Sequence, residues 1–344
     1  MRTRLNTKQK LLKSDSINRC FLSPLGHHMK SFIDINRAQG KIFRSEESIL
    51  HRLDIFWNSY CKATKKISDS IIKEWIARYP KSKPITIYKY LTTIRKFCMY
   101  LRRFNLNVYI PDDSIIPLYK SNFLPHIYTK DQIKKLLETS RRLNPTQSSP
   151  LRHHTIRIII LLLYTTGMRI SEALQLKICD IDIKNQQIII HQTKYFKSRI
   201  VPLSQSMMKE LQEYITLYKR FVPQTKNQIF LFENKRTGKS YNLSFIEKIF
   251  RRLLKELGLK PNCGRIGPRI HDLRHTFASH RLEEWYHNGE DVQSKLGLLS
   301  TYLGHTGIAS TQRYLTISAS VFDDASYRFK QYFKSFINRK GDQL

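Results

Sequence analysis

The sequence predicts a mainly α-helical protein with one small antiparallel β-sheet, divided into two domains. Apolar residues recur at helical spacing through most of the 344-residue chain, which is typical of helices that bury one face. Runs of β-branched residues suited to a hairpin occur within residues 187–203. A stretch interrupted by prolines separates two parts, each long enough to bury a core of its own.

The predicted linker lies where the helical pattern loosens. Pro111, Pro117 and Pro125 interrupt this stretch, and residues 112–114 (Asp-Asp-Ser) favour turns. We expect five regions: a basic N-terminal extension (1–23), a helical domain (24–105), a linker (106–128), a second domain (129–318) and a C-terminal helix and tail (319–344).

Before the linker, apolar periodicity predicts four helices, at 24–38, 45–62, 68–78 and 84–103. The last of these has one apolar face, made by Ile87, Leu91, Ile94, Cys98 and Leu101. Its basic residues lie elsewhere: Lys89, Lys96 and Arg103 on the opposite face, and Arg95 and Arg102 on a flank. No acidic residue occurs between Lys81 and Leu106, which favours DNA phosphate contacts over a merely solvated face.

After the linker, residues 129–132 (Thr-Lys-Asp-Gln) match a capping box and predict a helix start. A buried helix is expected at 155–164 and another at 170–176. Strands at 187–191 and 199–203 predict a hairpin around residues 194–198. Ser244 and Glu247 match a second capping box, opening a helix that Gly258 ends, and further helices fit 271–286 and 311–315.

Net charge indicates a polyanionic partner. The chain has 60 Lys and Arg against 27 Asp and Glu, a formal net charge of +33, and the excess is spread along both domains. Such a field attracts nucleic acid. The alternative is a component of an RNA-rich particle or an effect on solubility.

Cysteine usage favours a reduced, cytoplasmic environment. The five cysteines are scattered and contain no CxxC pair, so neither a disulfide framework nor a zinc site is expected. The basic N-terminus is followed by no apolar run, and the longest apolar stretch, 158–164, is too short to span a bilayer. We expect no membrane association.

Three segments of the second domain carry residues suited to phosphodiester chemistry. Without a metal, this reaction needs a nucleophile, cations for the transition state and a proton donor for the leaving oxygen. The segments are 165–174 (TTGMRISEAL), 271–279 (HDLRHTFAS) and 303–305 (LGH), with Tyr314 nine residues after His305. No clustered Asp/Glu site, HExxH or GxxxxGK[ST] occurs, so no metal site, zinc peptidase or NTPase is indicated.

Each segment alone is a weak signal, and their ordered set is the specific one. A second His-x-x-Arg occurs at 154–157 and is interpreted as chance. His27, His28, His153 and His154 match no motif and receive a structural or phosphate-facing interpretation.

Together the three segments resemble the signature of the tyrosine recombinase, or phage integrase, family. The resemblance runs from about residue 25 to 320, closely in the second domain and in outline in the first. It implies a C-shaped clamp, in which a helical core-binding domain and a catalytic domain close around duplex DNA.

The resemblance also implies roles for individual residues. Tyr314 would be the nucleophile that forms a 3′-phosphotyrosine. Arg169 and Arg274 would hold the non-bridging oxygens, to which planar guanidinium groups are suited. His271 would assist proton transfer at Tyr314 or orient the phosphate, and His305 would hydrogen-bond the phosphate.

Two further residues follow from the same resemblance. Glu172 would position neighbouring groups, or serve as an ordinary salt-bridge partner within its helix. The family's catalytic lysine, which would protonate the leaving 5′ oxygen, matches Lys194. Because Tyr195 and Phe196 stand where this turn commonly has glycines, Lys197 is the alternative.

The expected activity is site-specific recombination or integration of double-stranded DNA, as in mobile elements. No cofactor is expected, because a phosphotyrosyl bond stores the energy of the broken phosphodiester. The alternatives are a type IB topoisomerase-like nicking-closing enzyme and a DNA-binding regulator with relic catalytic residues. The expected location is cytoplasmic and nucleoid-associated.

Assembly is expected because strand exchange between two duplexes needs four active sites, which predicts a homotetramer on synapsed DNA or an assembly with related recombinases. Residues 321–337 carry an apolar stripe at helical spacing, made by Phe322, Ala325, Phe329, Phe333 and Phe336. This stripe either packs on its own domain or docks on a neighbouring protomer.

Overall fold

The computed structural model describes residues 20–60, 67–112, 114–115, 124–147, 149–191, 198–221, 230–234, 236–261, 267–305 and 307–315. Throughout these residues the protein is mainly helical with a small antiparallel sheet, which confirms the predicted fold class. The chain divides into two compact units, Met1–Asn122 and Phe123–Leu344. Lys194, Lys197 and the predicted C-terminal stripe lie outside the described residues.

Unit 1 is helical in its described part, and all four predicted helices are confirmed. They are α1 (Gly26–Ala38), α2 (Arg44–Tyr60), α3 (Asp69–Ala77) and α4 (Pro84–Leu101). Its core is built around Trp57, Trp75 and Phe97, whose side chains are completely buried. Helix α4 ends earlier than predicted, because the chain tightens into a 3₁₀ turn at Arg102–Phe104 and then reverses at a left-handed Asn105 (φ 57°).

Helix α4 divides into the two faces that its sequence predicts. Leu91, Ile94, Cys98 and Leu101 are buried, and Ile87 packs against them. The side chains of Lys89, Lys96, Arg102 and Arg103 are exposed, and Arg95 is half-buried. The apolar face therefore holds α4 to unit 1, while four of the five basic side chains face solvent.

Unit 2 begins with three helices: α5 (Lys130–Arg141), α6 (Arg152–Thr166) and α7 (Ile170–Gln175). The predicted capping box of α5 is confirmed: the Gln132 N–H donates to Thr129 Oγ1 (3.2 Å) and the Thr129 N–H to Gln132 Oε1 (3.1 Å). Helix α6 is buried, as its apolar sequence predicts. At its C-terminus the chain turns through a left-handed Gly167 (φ 62°).

The predicted hairpin is part of a three-stranded antiparallel sheet made by β1 (Ile181–Asp182), β2 (Gln187–Ile190) and β3 (Arg199–Pro202). The register pairs Gln187 with Pro202 and Ile190 with Arg199. Residues 192–197 of the turn lie outside the described residues. A second, two-stranded ribbon joins β4 (Glu233–Asn234) to β5 (Lys239–Ser240).

Five more helices complete the described part of unit 2: α8 (Gln205–Phe221), α9 (Leu243–Glu256), α10 (Asp272–His287), α11 (Val292–Leu303) and α12 (Ala309–Leu315). The predicted start of α9 is wrong by two positions. Asn242 caps this helix, because its Oδ1 accepts from the Ser244 N–H at 2.8 Å, so Ser244 lies inside the first turn. Helices α8 and α11 were not predicted.

Candidate active site

Arg169 lies in the short turn between α6 and α7. This turn needs a glycine at 167, because a Cβ there would lie 2.4 Å from Cδ1 of Phe277 and because the backbone is left-handed. The Arg169 side chain donates from Nη2 to the carbonyl oxygen of Gly304 (3.0 Å) and from Nη1 to Glu172 Oε1 (2.8 Å). The guanidinium is thereby fixed at two points.

Glu172 connects two arginines. Its carboxylate accepts from the backbone and side chain of Arg169, and from both terminal nitrogens of Arg199 on β3, at 2.7 and 3.1 Å. Burial alone would raise the pKa of this carboxyl. Hydrogen bonds and positive charge, from Arg199 first and then Arg169, outweigh burial and lower the pKa to about 2. Glu172 is therefore a fixed anion at neutral pH.

Arg274 is buried in the first turn of α10, with 2% of its surface exposed. It donates to the carbonyl oxygens of Gly167 (2.9 Å) and Leu303 (2.7 Å), which end α6 and α11. Helix C-termini carry partial negative charge and suit a cation. Burial, followed by the nearby charge of Arg169, lowers the pKa of Arg274 to about 10, so the guanidinium stays charged at neutral pH.

His305 follows the left-handed Gly304 that ends α11. Its Nδ1 lies 2.8 Å from Oγ1 of Thr311, a hydroxyl that is completely buried. Burial, followed by the charge of Arg274, lowers the pKa of His305 to about 4. The ring is therefore neutral at pH 7 and acts as a hydrogen-bonding group, not as a cation.

Tyr314 lies on α12 with 3% of its surface exposed. Its hydroxyl oxygen lies 3.2 Å from Nδ1 of His275, on α10. The Tyr314 ring also stacks beside His305, with centroids 6.2 Å apart. His271 immediately precedes α10, and its exposed ring packs edge-on against His275 at 5.0 Å. Partial desolvation, then the charge of Arg274, lowers the pKa of His271.

Five of the six predicted catalytic residues are therefore close together in unit 2: Arg169, His271, Arg274, His305 and Tyr314. The sixth, Lys194, lies outside the described residues, as does Lys197. The predicted DNA-contacting residues belong to unit 1, on α4 and the following 3₁₀ turn.

The other singled-out histidines have structural surroundings. In the second His-x-x-Arg, Arg157 makes a two-point ion pair with Glu210 on α8. The rings of His153 and His154 contact each other at 4.2 Å, and burial lowers the pKa of both. In unit 1 the rings of His27 and His28 meet edge-on.

Two residues of the site were missed by the sequence reasoning. Arg199 is the first residue of β3, the strand that follows the predicted turn containing Lys194. Its place at the start of this strand is the sequence feature that could have identified it. His275 follows His271 by four residues, a spacing that brings two side chains to one side of a helix.

No three His, Cys, Asp or Glu side chains in the described part of the chain gather as a metal ion would require. None of the helices in this part is both long and apolar enough to cross a membrane.

Known proteins resemble this chain along most of its length. A Sinorhizobium fredii protein, provisionally named integrase/recombinase y4rB, is 28% identical over 311 residues, covering 90% of this chain and 98% of that protein. Tyrosine recombinase XerD of Staphylococcus epidermidis is 34% identical over 241 residues, covering 68% and 72%.

Solved structures share the fold. The Tn1549 transposon integrase, in complex with transposon right end DNA, superposes with a TM-score of 0.60 at 18% identity, covering 88% of this chain and 98% of that one. The sequence model of the phage integrase family matches residues 127–320, which contain every element of the site built above. The chain belongs to the phage integrase family and is a tyrosine recombinase.

Proposed function

We propose that this protein is a site-specific recombinase or integrase that cuts and rejoins double-stranded DNA through a 3′-phosphotyrosyl bond to Tyr314. One observation carries the proposal. The guanidinium groups of Arg169 and Arg274 donate to consecutive carbonyls, those of Gly304 and Leu303, in the same region as Tyr314. Two fixed guanidinium groups in the region of one tyrosine hydroxyl are suited to bind a phosphodiester while that hydroxyl attacks its phosphorus.

The charge balance of the site supports a phosphate ligand. Arg169, Arg199 and Arg274 bring three positive charges, and Glu172 is the carboxylate that pairs with two of them. Arg274 is held by backbone carbonyls. This arrangement leaves about two unmatched positive charges, and an anionic ligand would offset them. The +33 net charge adds long-range attraction for DNA.

The reaction follows from these positions. The Tyr314 oxygen attacks phosphorus, the P–O5′ bond breaks, and the guanidinium groups neutralise the added charge on the non-bridging oxygens. His305, whose Nδ1 is engaged by Thr311, presents Nε2 to the phosphate, and His271 orients it. Lys194, by its match to the family pattern, donates a proton to the leaving O5′. The reverse attack by a 5′ hydroxyl reseals the strand.

Glu172 acts through the arginines, because its carboxylate fixes the orientation of the guanidinium groups of Arg169 and Arg199.

The same scheme needs neither ATP nor a metal, since the energy of the broken phosphodiester is kept in the phosphotyrosyl ester. It also predicts four protomers on two paired sites, with the segment 321–337 docking between protomers. The DNA complex of the Tn1549 integrase supports a DNA partner for this fold, and such an enzyme would work in the nucleoid-associated cytoplasm.

The central test is Tyr314→Phe, which removes one hydroxyl. We expect DNA binding to persist and covalent protein–DNA adducts on a nicked suicide substrate to vanish. Adducts that survive in the Phe variant contradict the proposal.

A second measurement repeats wild-type cleavage in excess EDTA, where it should continue. Complete loss on chelation that Mg²⁺ restores points to a nuclease-type site instead. Recombination between two target sites, rather than relaxation of supercoils alone, distinguishes a recombinase from a nicking-closing enzyme.

A further inference from the structure

His275, a residue that the sequence pattern did not point to, contacts the hydroxyl of Tyr314. Its Nδ1 is 3.2 Å from the Tyr314 hydroxyl oxygen, and the two rings lie 5.5 Å apart, tilted by 53°. The contact joins α10 to α12. Both residues are therefore carried by packed helices rather than by a loop.

We infer that His275 holds the Tyr314 phenol in position and accepts its proton as the phenol oxygen attacks phosphorus. The inference rests on the proposed function, because it assigns the base for that reaction. In the tautomer with its proton on Nε2, His275 offers the Nδ1 lone pair and the Tyr314 O–H donates to it.

The chemistry requires such a group. A phenol has a pKa of about 10 and is largely protonated at neutral pH, so its proton must leave as the oxygen–phosphorus bond forms. The proton moves from Tyr314 to His275 Nδ1, the new O–P bond forms, and the P–O5′ bond breaks. The leaving O5′ takes a proton from the separate acid, Lys194. In resealing, His275 returns its proton to the phenol oxygen.

His271 occupies a different place. It packs edge-on against His275, and the described hydrogen bond of the Tyr314 hydroxyl is with Nδ1 of His275. The exposed ring of His271 suits contact with the phosphate. Among the described ring contacts, the His275 ring meets His271 from its own helix and Tyr314 from α12, and the Tyr314 ring in turn stacks beside His305.

The same helix supplies a matched control. His280 places its Nδ1 3.2 Å from the hydroxyl of Tyr164, which reproduces the His–Tyr contact without any residue of the proposed chemistry. His280→Asn removes an imidazole from α10 in the same way as His275→Asn. A loss of cleavage that is caused only by disturbing the structure of α10 would appear in both variants.

The experiment measures single-turnover cleavage of a suicide substrate between pH 6 and 10. His275→Asn keeps a hydrogen-bond acceptor near the phenol but cannot take up a proton. We expect its rate at pH 7 to fall by roughly 10²-fold or more, and to rise with pH while the wild-type rate levels off. Added imidazole should partly restore His275→Ala. His280→Asn should cleave like the wild type.

A substrate with sulfur at the 5′ bridging position separates base from acid. Sulfur is a good leaving group without a proton, so it should rescue Lys194→Ala but leave the defect of His275→Asn in place. Rescue of His275→Asn by sulfur overturns the inference and makes His275 the acid. A His275→Asn rate within threefold of wild type, with an unchanged pH profile, overturns it as well.

Failure of this inference is distinguishable from failure of the proposed function. Tyr314→Phe is run in parallel, together with DNA affinity and thermal melting of each variant. If Tyr314→Phe abolishes adducts while His275→Asn cleaves normally, only the role of His275 is wrong. If Tyr314→Phe still forms adducts, the nucleophile itself is wrong.

Discussion

The positive charges of the two units are held in opposite ways. In unit 2, Arg274 is buried with its guanidinium donating to two backbone carbonyls, and Arg169 is tied to a carbonyl and to Glu172. In unit 1, Lys89, Lys96 and Arg103 on or beside α4 are exposed, and none makes an ion pair with a described carboxylate.

This difference separates two uses of a cation. A guanidinium fixed before the ligand arrives loses no side-chain freedom in the reaction, and partial exclusion of water strengthens its field. An exposed lysine is screened by salt and reorients freely, which suits attraction to a phosphate backbone of any sequence. Under the proposed function, the fixed arginines of unit 2 would hold the reacting phosphate, and the basic face of α4 would attract DNA of any sequence.

The largest effect is expected when the fixed, planar guanidinium of Arg274 is replaced by the ammonium group of a lysine. Arg274→Lys keeps the charge but loses the planar guanidinium that two backbone carbonyls fix and that we propose to bind the phosphate. We expect covalent-adduct formation to slow by about 10²–10³-fold, with DNA affinity nearly unchanged. Single-turnover cleavage and a binding isotherm on the same substrate measure both. A variant that cleaves normally would mean that charge alone matters in unit 2.

The next effect concerns the carboxylate that orders two arginines. Because folding lowers the pKa of Glu172 from 4.5 to about 2, its ionised form stabilises the fold by about 3 kcal/mol at neutral pH. This contribution is present above pH 4.5 and is lost as the pH falls toward 2. Glu172→Gln should lose it at every pH, so the variant's free energy of unfolding should vary less between pH 5 and 3.

Urea unfolding of the whole chain at several pH values measures this contribution. The matched control is Asp69→Asn, which removes a carboxylate paired with Lys73 in unit 1, with 38% of its side chain exposed against 10% for Glu172. We expect that change to cost less than about 1 kcal/mol. Equal costs at the two positions would contradict the distinction between buried and exposed charges.

Local patterns predicted most of the fold, and the two misses described below also involve signals that are local in the sequence. The capping box at Thr129 and the apolar face of α4 depend on neighbours in sequence, and both are confirmed. The start of α9 was missed because two polar residues compete for the cap, and Asn242 is the one whose side chain accepts. Helix α11 was overlooked between two strong motifs, although Asp291 caps it and Gly304 ends it.

The site could be predicted in outline because its residues fall in short motifs with known order. The sequence could not show that Arg274 is anchored on carbonyls of two other helices, since these contacts join residues 107 and 29 positions away. It also could not rank His271 against His275 at the tyrosine. That ranking depends on how α12 packs against α10, which brings residues 39 positions apart into contact.

A smaller effect is expected on the exposed face. The double variant Lys89→Gln and Lys96→Gln removes two charges that the fold leaves in solvent. If both meet phosphates, the slope of log affinity against log salt should fall by about 2. Cleavage at saturating protein should be unchanged. Lys73→Gln, whose charge is already paired with Asp69, serves as the control and should leave the slope as it is.

The smallest effect is expected when arginine is replaced by lysine in unit 1, although the same replacement is expected to have the largest effect in unit 2. Arg103→Lys repeats the change made at Arg274, but at an exposed position where the fold fixes no donor geometry. A screened charge attracts phosphate almost equally well as lysine or arginine, so affinity for target DNA should change by less than about threefold. A loss of tenfold or more, confined to the target sequence, would mean that Arg103 reads a base edge with its two-pronged donor. Unit 1 would then also contain an arginine that acts through the geometry of its donors. The cations of the two units would differ in burial, but not in how they recognise DNA.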